Sequence, residues 1–193
     1  MGYSLTAATY KLSETDSKKL GASAAEVAFV GRSNVGKSTL LNALCNKPLA
    51  HVSSMPGRTR VINVYDAGES RWLVDLPGYG YAQGGQAERA GWGEMIEGYL
   101  MRRPNLRMVL SLVDAKVGPT KLDFEMLRWL QSFGLPLMIV ATKTDQVKPS
   151  VAVYRRRDIA QEVGVEAKAL FWVSAEKNDG VRELRAAVTA LLA

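Results

Sequence analysis

The eight residues GRSNVGKS at positions 31–38 fit the pattern G-x-x-x-x-G-K-[ST] in full. They follow an apolar run of strand length and open a run with helical spacing, the context in which this pattern holds phosphate groups. Backbone N–H groups of the loop and of the helix N-terminus would surround phosphate oxygens, while Lys37 would reach the β- and γ-phosphates and Ser38 would ligate Mg²⁺. A glycine-rich turn with a solvated lysine is the alternative. We predict a phosphate site formed by Gly31, Arg32, Ser33, Asn34, Val35, Gly36, Lys37 and Ser38.

A second set of polar residues, TKTD at 142–145, follows the apolar run LPLMIVA. The carboxylate of Asp145 only accepts hydrogen bonds, so it suits the N1–H and exocyclic amine of guanine and disfavours adenine. The stem of Lys143 can cover the base, and the N–H of Ala175 could meet the guanine O6. A surface turn is the alternative for TKTD taken alone. The predicted base site comprises Thr142, Lys143, Thr144, Asp145, Val173, Ser174 and Ala175.

Two further segments contain candidate switch residues. In DLPG, Asp75 would hold Mg²⁺ through a water and the Gly78 N–H would meet the γ-phosphate. Thr59, in a long turn-rich segment, is the candidate second Mg²⁺ ligand and could offer its carbonyl to the catalytic water. GTP would order both segments and hydrolysis would release them. The nucleotide contacts predicted here are Gly57, Arg58, Thr59, Arg60, Val61, Asp75, Leu76, Pro77 and Gly78.

The elements that position these residues alternate along the chain. Apolar runs of strand length are separated by helical patterns, which predicts an α/β fold with a mostly parallel sheet covered by helices on both faces. A short turn at 68–70 makes one hairpin and therefore one antiparallel strand. Ligands of such sheets bind at the carboxyl ends of the strands, where the motifs lie. The predicted strands are 26–30, 61–67, 71–76, 107–115, 135–143 and 169–175, and the predicted helices are 37–45, 86–102, 121–133, 150–164 and 180–192.

Composition narrows the class of protein. The 193 residues include one cysteine and one histidine, which excludes an intrachain disulfide and a multi-histidine metal site. No apolar run has the roughly 18 residues of a membrane span, and the first 19 residues have no signal-like apolar block. We therefore expect a cytoplasmic protein without membrane insertion. The net charge of +6 favours a polyanionic partner, for which the basic runs 101–103 and 155–157 are candidate contacts or simply solvated helix faces.

Taken together, GRSNVGKSTLLNAL, PGRTR followed by VIN, and DLPGYGYA resemble the EngB family, also called YihA or YsxC, of bacterial ribosome-biogenesis GTPases. The order of phosphate loop, Thr59, DLPG, TKTD and VSA is similar to that of translation-factor-class P-loop GTPases with a Ras-like fold and a six-stranded sheet. The resemblance covers the chain from about Val27 to the last helix. It implies a single GTP-binding domain at 27–193, with residues 1–26 as an extension packed on or flanking it.

The resemblance also implies a function. Members of this family are Mg²⁺-dependent GTPases, so the expected ligands are GTP, GDP and Mg²⁺. The expected partners are precursors of the large ribosomal subunit and their rRNA, the expected role includes normal cell division and septation, and we expect a monomer. A nucleotide-gated binding module for cell-division proteins is an alternative in which hydrolysis is incidental. A metabolic P-loop kinase is a weaker alternative, since it leaves TKTD and VSA unexplained.

The residue after DLPG is Tyr79, where many phosphate switches have a glutamine that orients the attacking water. A phenol with a pKa of about 10 is a poor base at neutral pH, so we predict slow unaided turnover. Related GTPases without that glutamine often have an asparagine in the phosphate loop, and some use it to bind K⁺. We therefore hypothesise that K⁺ binds at Asn34 and stimulates hydrolysis. The residues expected to act in catalysis are Lys37, Thr59, Gly78 and Asn34.

Overall fold

The structure is a computed structural model that describes residues 2–51, 61–80 and 86–193. Within these residues, seven strands and five α-helices alternate along the chain. The strands are β1 (Thr9–Glu14), β2 (Ala25–Gly31), β3 (Ile62–Asp66), β4 (Arg71–Asp75), β5 (Leu106–Asp114), β6 (Leu137–Thr142) and β7 (Phe171–Trp172). The helices are α1 (Lys37–Cys45), α2 (Gln86–Leu100), α3 (Lys121–Ser132), α4 (Ala152–Glu162) and α5 (Val181–Leu191).

The strands form one sheet in the order β1-β3-β4-β2-β5-β6-β7. Strand β3 pairs antiparallel with both β1 and β4, whereas β4, β2, β5, β6 and β7 pair in parallel. The predicted α/β class, with a mostly parallel sheet and one antiparallel strand, is therefore confirmed. The carboxyl ends of β2, β4, β5 and β6 lie along one edge of the sheet, where the predicted site residues begin.

The sheet has seven strands instead of the predicted six, and the additional strand is β1. Its side chains are exposed or only half-buried, so its sequence TYKLSE lacks the apolar run that identifies a buried strand. Thr9–Glu14 belong to the segment expected to pack on or flank the nucleotide domain, and they complete an edge of the sheet. The domain boundary at residue 27 stays a prediction.

The core lies on both faces of the sheet because side chains alternate along each strand. On β2, Val27 and Phe29 pack in the cluster that contains α1 and α5. The intervening Ala28 and Val30 pack on the opposite face, in the cluster that contains α2 and α3. Helix α4 covers the neighbouring part of this second face through Ile159, which joins buried residues of β5 and β6.

The ends of several elements have clear local causes. Helix α1 starts directly after Gly36, whose φ of 96° is a left-handed conformation that favours glycine. Helix α3 begins with a capping box between Thr120 and Asp123. The predicted strand 169–175 was too long, because after β7 the chain turns at Ser174 and pairs with Asp179. In the described part of the chain, no helix has both the length and the apolar character needed to cross a bilayer.

Candidate functional site

The phosphate loop connects β2 to α1 and depends on close backbone packing. A Cβ at Gly31 would lie 2.7 Å from the Val35 side chain, so this position requires glycine. Asn34 has a φ of 66° and Gly36 a φ of 96°, which gives the loop its tight path. The loop therefore leads the chain into the N-terminus of α1, whose first N–H groups have no partner within the helix. Such an arrangement suits a polyphosphate.

Lys37 and Asp75, both predicted site residues, contact each other through Nζ and Oδ1. Lys37 is the first residue of α1 and Asp75 is the last residue of β4, so two parallel strands and a helix bring them together. Burial lowers the pKa of Lys37 to about 7, while the adjacent carboxylate favours the ammonium form. Ser38, the next residue of the helix, is half-buried. A hydroxyl, a carboxylate and an ammonium group are therefore grouped at the start of α1.

The TKTD segment is attached directly to the phosphate loop. The Thr142 hydroxyl donates to the Val35 carbonyl at 2.6 Å, and Lys143 Nζ donates to the Asn34 carbonyl at 2.5 Å. The stem of Lys143 also lies against Gly36, with its Cε 3.7 Å from a Cβ built there. Residues from two distant segments of the chain thus form one continuous surface.

Lys143 has a second anchor that the sequence did not suggest. Its ammonium donates to Asp114 Oδ2 at 2.8 Å, while Asp114 Oδ1 accepts from the N–H groups of Lys116 and Val117. Burial opposes the charge of Asp114, but these bonds outweigh it and lower the pKa of the carboxyl. Asp114 ends β5 beside Thr142 of β6, so its place at the carboxyl edge was the signal that could have identified it.

Asp145 is exposed and oriented by its neighbour on the next loop. The Ser174 hydroxyl donates to Asp145 Oδ1 at 2.6 Å and accepts from the Lys177 N–H at 3.0 Å. The buried Thr144 donates its N–H to the Val173 carbonyl at 3.4 Å, which joins the two loops. An open cavity of about 210 Å³ extends from Gly36 to Asp145, Val173 and Ala175. Five of the seven predicted base-site residues therefore line a pocket that reaches Gly36 of the phosphate loop, namely Thr142, Lys143, Asp145, Val173 and Ala175.

The DLPG segment lies beside the phosphate loop. Leu76 donates to the carbonyl of Phe29, which extends the pairing of β4 with β2, and the Pro77 carbonyl accepts from the Trp92 indole N–H at 3.0 Å. A Cβ on Gly78 would come within 3.3 Å of the Gly31 carbonyl and the Ser33 nitrogen. Gly78 is thus packed against the backbone that would surround the phosphates.

Tyr79 points away from the predicted nucleotide site. Its side chain is 7% exposed, and its hydroxyl donates to Asp123 Oδ1 of α3 at 2.7 Å. Burial, followed by the charge of Asp123, raises the pKa of this phenol, so it stays protonated. Tyr79 therefore has no position from which to orient a water at the phosphates. Asp123 was not identified from the sequence, although its place three residues after Thr120 was a signal that could have identified it as a capping residue.

The remaining predicted site residues either lie outside the described residues or are characterised by their exposure and backbone pairing alone. Gly57, Arg58, Thr59 and Arg60 lie outside the described residues, as does Tyr81. Val61 is half-buried just before β3. Asn34 is exposed, and Arg32 pairs with Tyr79 in a backbone bridge.

Most arginines of the two basic runs, 101–103 and 155–157, make hydrogen bonds or ion pairs within the protein. Arg155 donates to the carbonyls of Ala115 and Lys116, and Arg156 donates to that of Leu170. Arg103 forms an ion pair with Glu26, which has no solvent exposure. Arg102 and Arg157 are the exposed arginines of these runs.

The chain is similar in sequence to one protein family and to individual proteins named EngB. The chain matches the protein family described as "50S ribosome-binding GTPase" over residues 26–143. It is 44% identical over 168 residues to a probable GTP-binding protein EngB from Thermotoga petrophila, covering 86% of each chain. It is 47% identical over 161 residues to the corresponding protein from Pelotomaculum thermopropionicum, covering 82% of this chain and 81% of the relative.

Two solved structures illustrate the similarity in fold. A crystal structure of a probable GTP-binding protein EngB superposes with a TM-score of 0.71 at 24% identity, covering 87% of this chain and 98% of that one. Era in complex with MgGDPNP and nucleotides of 16S ribosomal RNA gives a TM-score of 0.66 at 24% identity, covering 89% of this chain and 57% of that one. At these identities the likeness establishes the fold alone.

Proposed function

The chain belongs to the EngB family of GTP-binding proteins and is a GTPase, and from this premise we propose that it acts as a GTP-dependent switch in assembly of the large ribosomal subunit. The observation that carries the proposal is the match over residues 26–143 to a family described as binding the 50S ribosome. The attachment of Thr142 and Lys143 to the phosphate loop supports the nucleotide-binding part of the proposal, because one connected surface would contact both the base and the phosphates.

In this proposal the nucleotide is held at both ends. The N–H groups of Gly36, Lys37 and Ser38 would receive the phosphates, since those of Ser33 and Val35 donate to carbonyls of the protein. Lys37 would exchange its contact with Asp75 for the β- and γ-phosphates. At the other end, Asp145 would accept from guanine with the free oxygen that Ser174 leaves available, while Lys143 would cover the base. The Gly78 N–H would meet the γ-phosphate, and the close packing of Gly78 against the loop backbone supports this contact.

The residues fit Mg²⁺ by the chemistry of their donors. The Ser38 hydroxyl is an oxygen ligand of the kind that Mg²⁺ takes together with substrate phosphates and water, and the Asp75 carboxylate would hold the ion through one of those waters. No group of three or more His, Cys, Asp or Glu side chains that could hold a metal occurs among the described residues, so the donor set is not an all-protein cage. When bound, Mg²⁺ would offset charge on the phosphates, and Thr59 is the proposed second protein ligand.

Hydrolysis would depend on position and charge more than on a protein base. The phenol of Tyr79 is turned into the core and stays protonated, so it supplies neither a base nor a water contact. Lys37, the loop N–H groups and Gly78 would stabilise charge on the transferred phosphoryl group. Slow unaided turnover, raised by a cation or by a ribosomal partner, follows from this arrangement.

We propose K⁺ at Asn34 as the candidate stimulating cation. Asn34 is exposed on the phosphate loop, and its carbonyl accepts from Lys143, so the residue is held in place while its side chain faces outward. GTP turnover in KCl is expected to exceed turnover in NaCl at equal ionic strength, and Asn34→Ala should remove the difference. Equal rates for the unaltered protein in the two salts would contradict the hypothesis.

The wider biological role is proposed from the family. We place the protein in the cytoplasm as a monomer that contacts rRNA in precursors of the large subunit and is needed for cell division and septation. The net charge of +6 supports a polyanionic partner. A nucleotide-gated module that binds cell-division proteins is the competing function.

Sedimentation with ribosomal particles tests the proposal. The protein would be pelleted with purified large-subunit precursors in the presence of a non-hydrolysable GTP analogue or GDP. We expect more protein in the pellet with the GTP analogue. In an Asp145→Asn variant the same response should require the xanthosine analogue instead. Failure to pellet with either nucleotide would favour the competing function.

A further inference from the structure

Gly78 lies between two residues that are anchored to different helices. The carbonyl of Pro77 accepts from the indole N–H of Trp92 in α2 at 3.0 Å. The hydroxyl of Tyr79 donates to Asp123 in α3 at 2.7 Å. The rings of Tyr79 and Trp92 also meet edge to face, with centroids 6.4 Å apart. The backbone at Gly78 is therefore fixed on both sides, although a glycine by itself leaves the chain free to rotate.

The backbone of Tyr79 is bound to the phosphate loop. The Ser33 N–H donates to the Tyr79 carbonyl at 2.9 Å, and the Ser33 hydroxyl donates to the same oxygen at 3.3 Å. The Tyr79 N–H donates to the Gly31 carbonyl at 3.3 Å. The side chain that is anchored in the core thus belongs to the residue whose backbone joins DLPG to the phosphate loop.

The acceptor of the Tyr79 hydroxyl is itself held rigidly. Asp123 is 2% exposed, and its second oxygen accepts from the backbone N–H and the hydroxyl of Thr120, each at 2.7 Å. Burial of the phenol and the charge of the carboxylate raise the pKa of Tyr79, which keeps the hydroxyl protonated as a donor. A hydrogen bond between a buried donor and a buried charged acceptor is among the stronger kinds.

We propose that Tyr79, anchored on Asp123, is a positioning residue that holds the Gly78 N–H against the phosphate loop and thereby sets the preference for GTP over GDP. GDP lacks the γ-phosphate that Gly78 would contact, so loosening this anchor weakens GTP more than GDP. The inference rests on the proposed nucleotide site. Tyr79 stands where many phosphate switches have a glutamine that orients water. Its role here is instead to discriminate GTP from GDP by fixing the backbone of Gly78.

The test compares two buried tyrosines whose hydroxyls each donate to a buried carboxylate, one beside the phosphate loop and one distant from it. Tyr79→Phe removes one hydroxyl next to the phosphate loop. Tyr99→Phe is the matched control, because Tyr99 is fully buried and donates to buried Glu26 at 2.7 Å, away from the predicted nucleotide contacts. Affinities for GDP and for a non-hydrolysable GTP analogue would be measured in the presence of Mg²⁺, together with kcat for GTP.

For Tyr79→Phe we expect the ratio of GTP-analogue affinity to GDP affinity to fall by roughly 10-fold, with GDP affinity nearly unchanged. The kcat should fall in parallel. Tyr99→Phe should lower thermal stability without changing the ratio. An unchanged ratio in Tyr79→Phe, or an equal change in both variants, would overturn the inference.

Asp123→Asn keeps an oxygen that can cap α3 and removes the charge that receives the Tyr79 hydroxyl. It should shift the ratio in the same direction, and the double variant should show less than the sum of the two effects. Full additivity would mean that the two residues act separately and would also overturn the inference. If the unaltered protein binds neither GTP nor GDP, the proposed function itself has failed, which distinguishes the two results.

Discussion

The two oxygens of Asp145 have different surroundings, and we propose that this difference underlies base selection. Oδ1 accepts from the Ser174 hydroxyl at 2.6 Å, which orients the carboxylate at the mouth of the pocket. The other oxygen is then available as an acceptor. Guanine presents two adjacent donors to such a group, whereas xanthine presents an oxygen in place of the amine and suits an amide better.

We predict that Asp145→Asn weakens GDP binding by about 10- to 100-fold, the range expected for hydrogen bonds to a charged group. Binding of xanthosine diphosphate should become measurable, since the amide can donate to the xanthine oxygen. Titration calorimetry with both nucleotides provides the measurement. Asp158→Asn, an exposed change on α4, is the control. Unchanged guanine affinity would remove Asp145 from the base site.

Asp114 acts through Lys143, which it holds by an ion pair at 2.8 Å. The pKa of the Asp114 carboxyl is lowered in the folded protein, so its contribution to stability is fully present above the ordinary value of 3.8 and is lost as pH falls through the folded pKa. Asp114→Asn keeps an acceptor for the N–H groups of Lys116 and Val117 but removes the charge that orients Lys143.

Asp114→Asn is therefore expected to lower GDP affinity by about 10-fold and the free energy of unfolding by about 2 kcal/mol at neutral pH. The difference in unfolding free energy from the unaltered protein should shrink below pH 3.8. Urea unfolding across this range measures it. A difference that stays constant into acid would show that the charge of Asp114 is not what stabilises the fold.

At the scale of elements, α2 is fixed to the sheet by a buried polar group. Glu26 of β2 accepts from Tyr99 of α2 and from Arg103, which follows that helix. Arg103 also donates to the carbonyl of Gly21 at 2.8 Å, so the segment before β2 is held by the same side chain. One buried carboxylate therefore joins the C-terminal end of α2 to the sheet and to the segment before β2.

Arg103→Ala is predicted to destabilise the protein by about 3 kcal/mol, because it leaves a buried carboxylate without its charged partner. The neighbouring Arg102 is exposed, so Arg102→Ala should change stability by less than about 0.5 kcal/mol. Thermal unfolding of the two variants compares them. Equal stabilities would mean that the Glu26–Arg103 contact contributes nothing net, and Arg103 would again be a candidate for a partner surface.

At the scale of the whole molecule, the N-terminal segment is joined to the nucleotide domain by more than a strand. Leu5 is 1% exposed and belongs to the core cluster that contains α1 and α5. Tyr3 donates to the carbonyl of Thr189 at 2.9 Å, and its ring lies under the Arg71 guanidinium. The beginning and the end of the described chain therefore pack together beside β3 and β4.

We expect Leu5→Ala to lower the free energy of unfolding by about 2 to 5 kcal/mol, the cost of a large-to-small change in a packed core. Leu122→Ala is the matched control, because Leu122 is 40% exposed on α3. Chemical denaturation distinguishes them. If the two changes cost the same, the N-terminal segment would be a loosely attached extension and not part of the core.

Much of the fold and of the candidate site could be predicted from local patterns. Apolar runs identify buried strands because β2, β5 and β6 are covered on both faces, and glycine identifies the phosphate loop because Gly36 needs a positive φ. Strand β1 was missed because an edge strand needs no apolar run. Asp114 and Asp123 were missed as site residues because Lys143 and Tyr79, the partners that give them a place at the site, are distant in sequence and meet them only in the fold.

The sequence by itself determined which groups are available for chemistry: the loop G-x-x-x-x-G-K-S, the carboxylate of Asp145 as the proposed acceptor for guanine, and DLPG followed by a tyrosine. Residue types and their order carry that information because each motif is formed by consecutive residues. Only the tertiary structure decided how those groups are held. In the structure, Tyr79 lies in the core and donates to Asp123, and Lys143 donates to Asp114. Arg103, Arg155 and Arg156 donate to carbonyl groups within the protein. These outcomes depend on which elements become neighbours, a property of packing that no single segment contains.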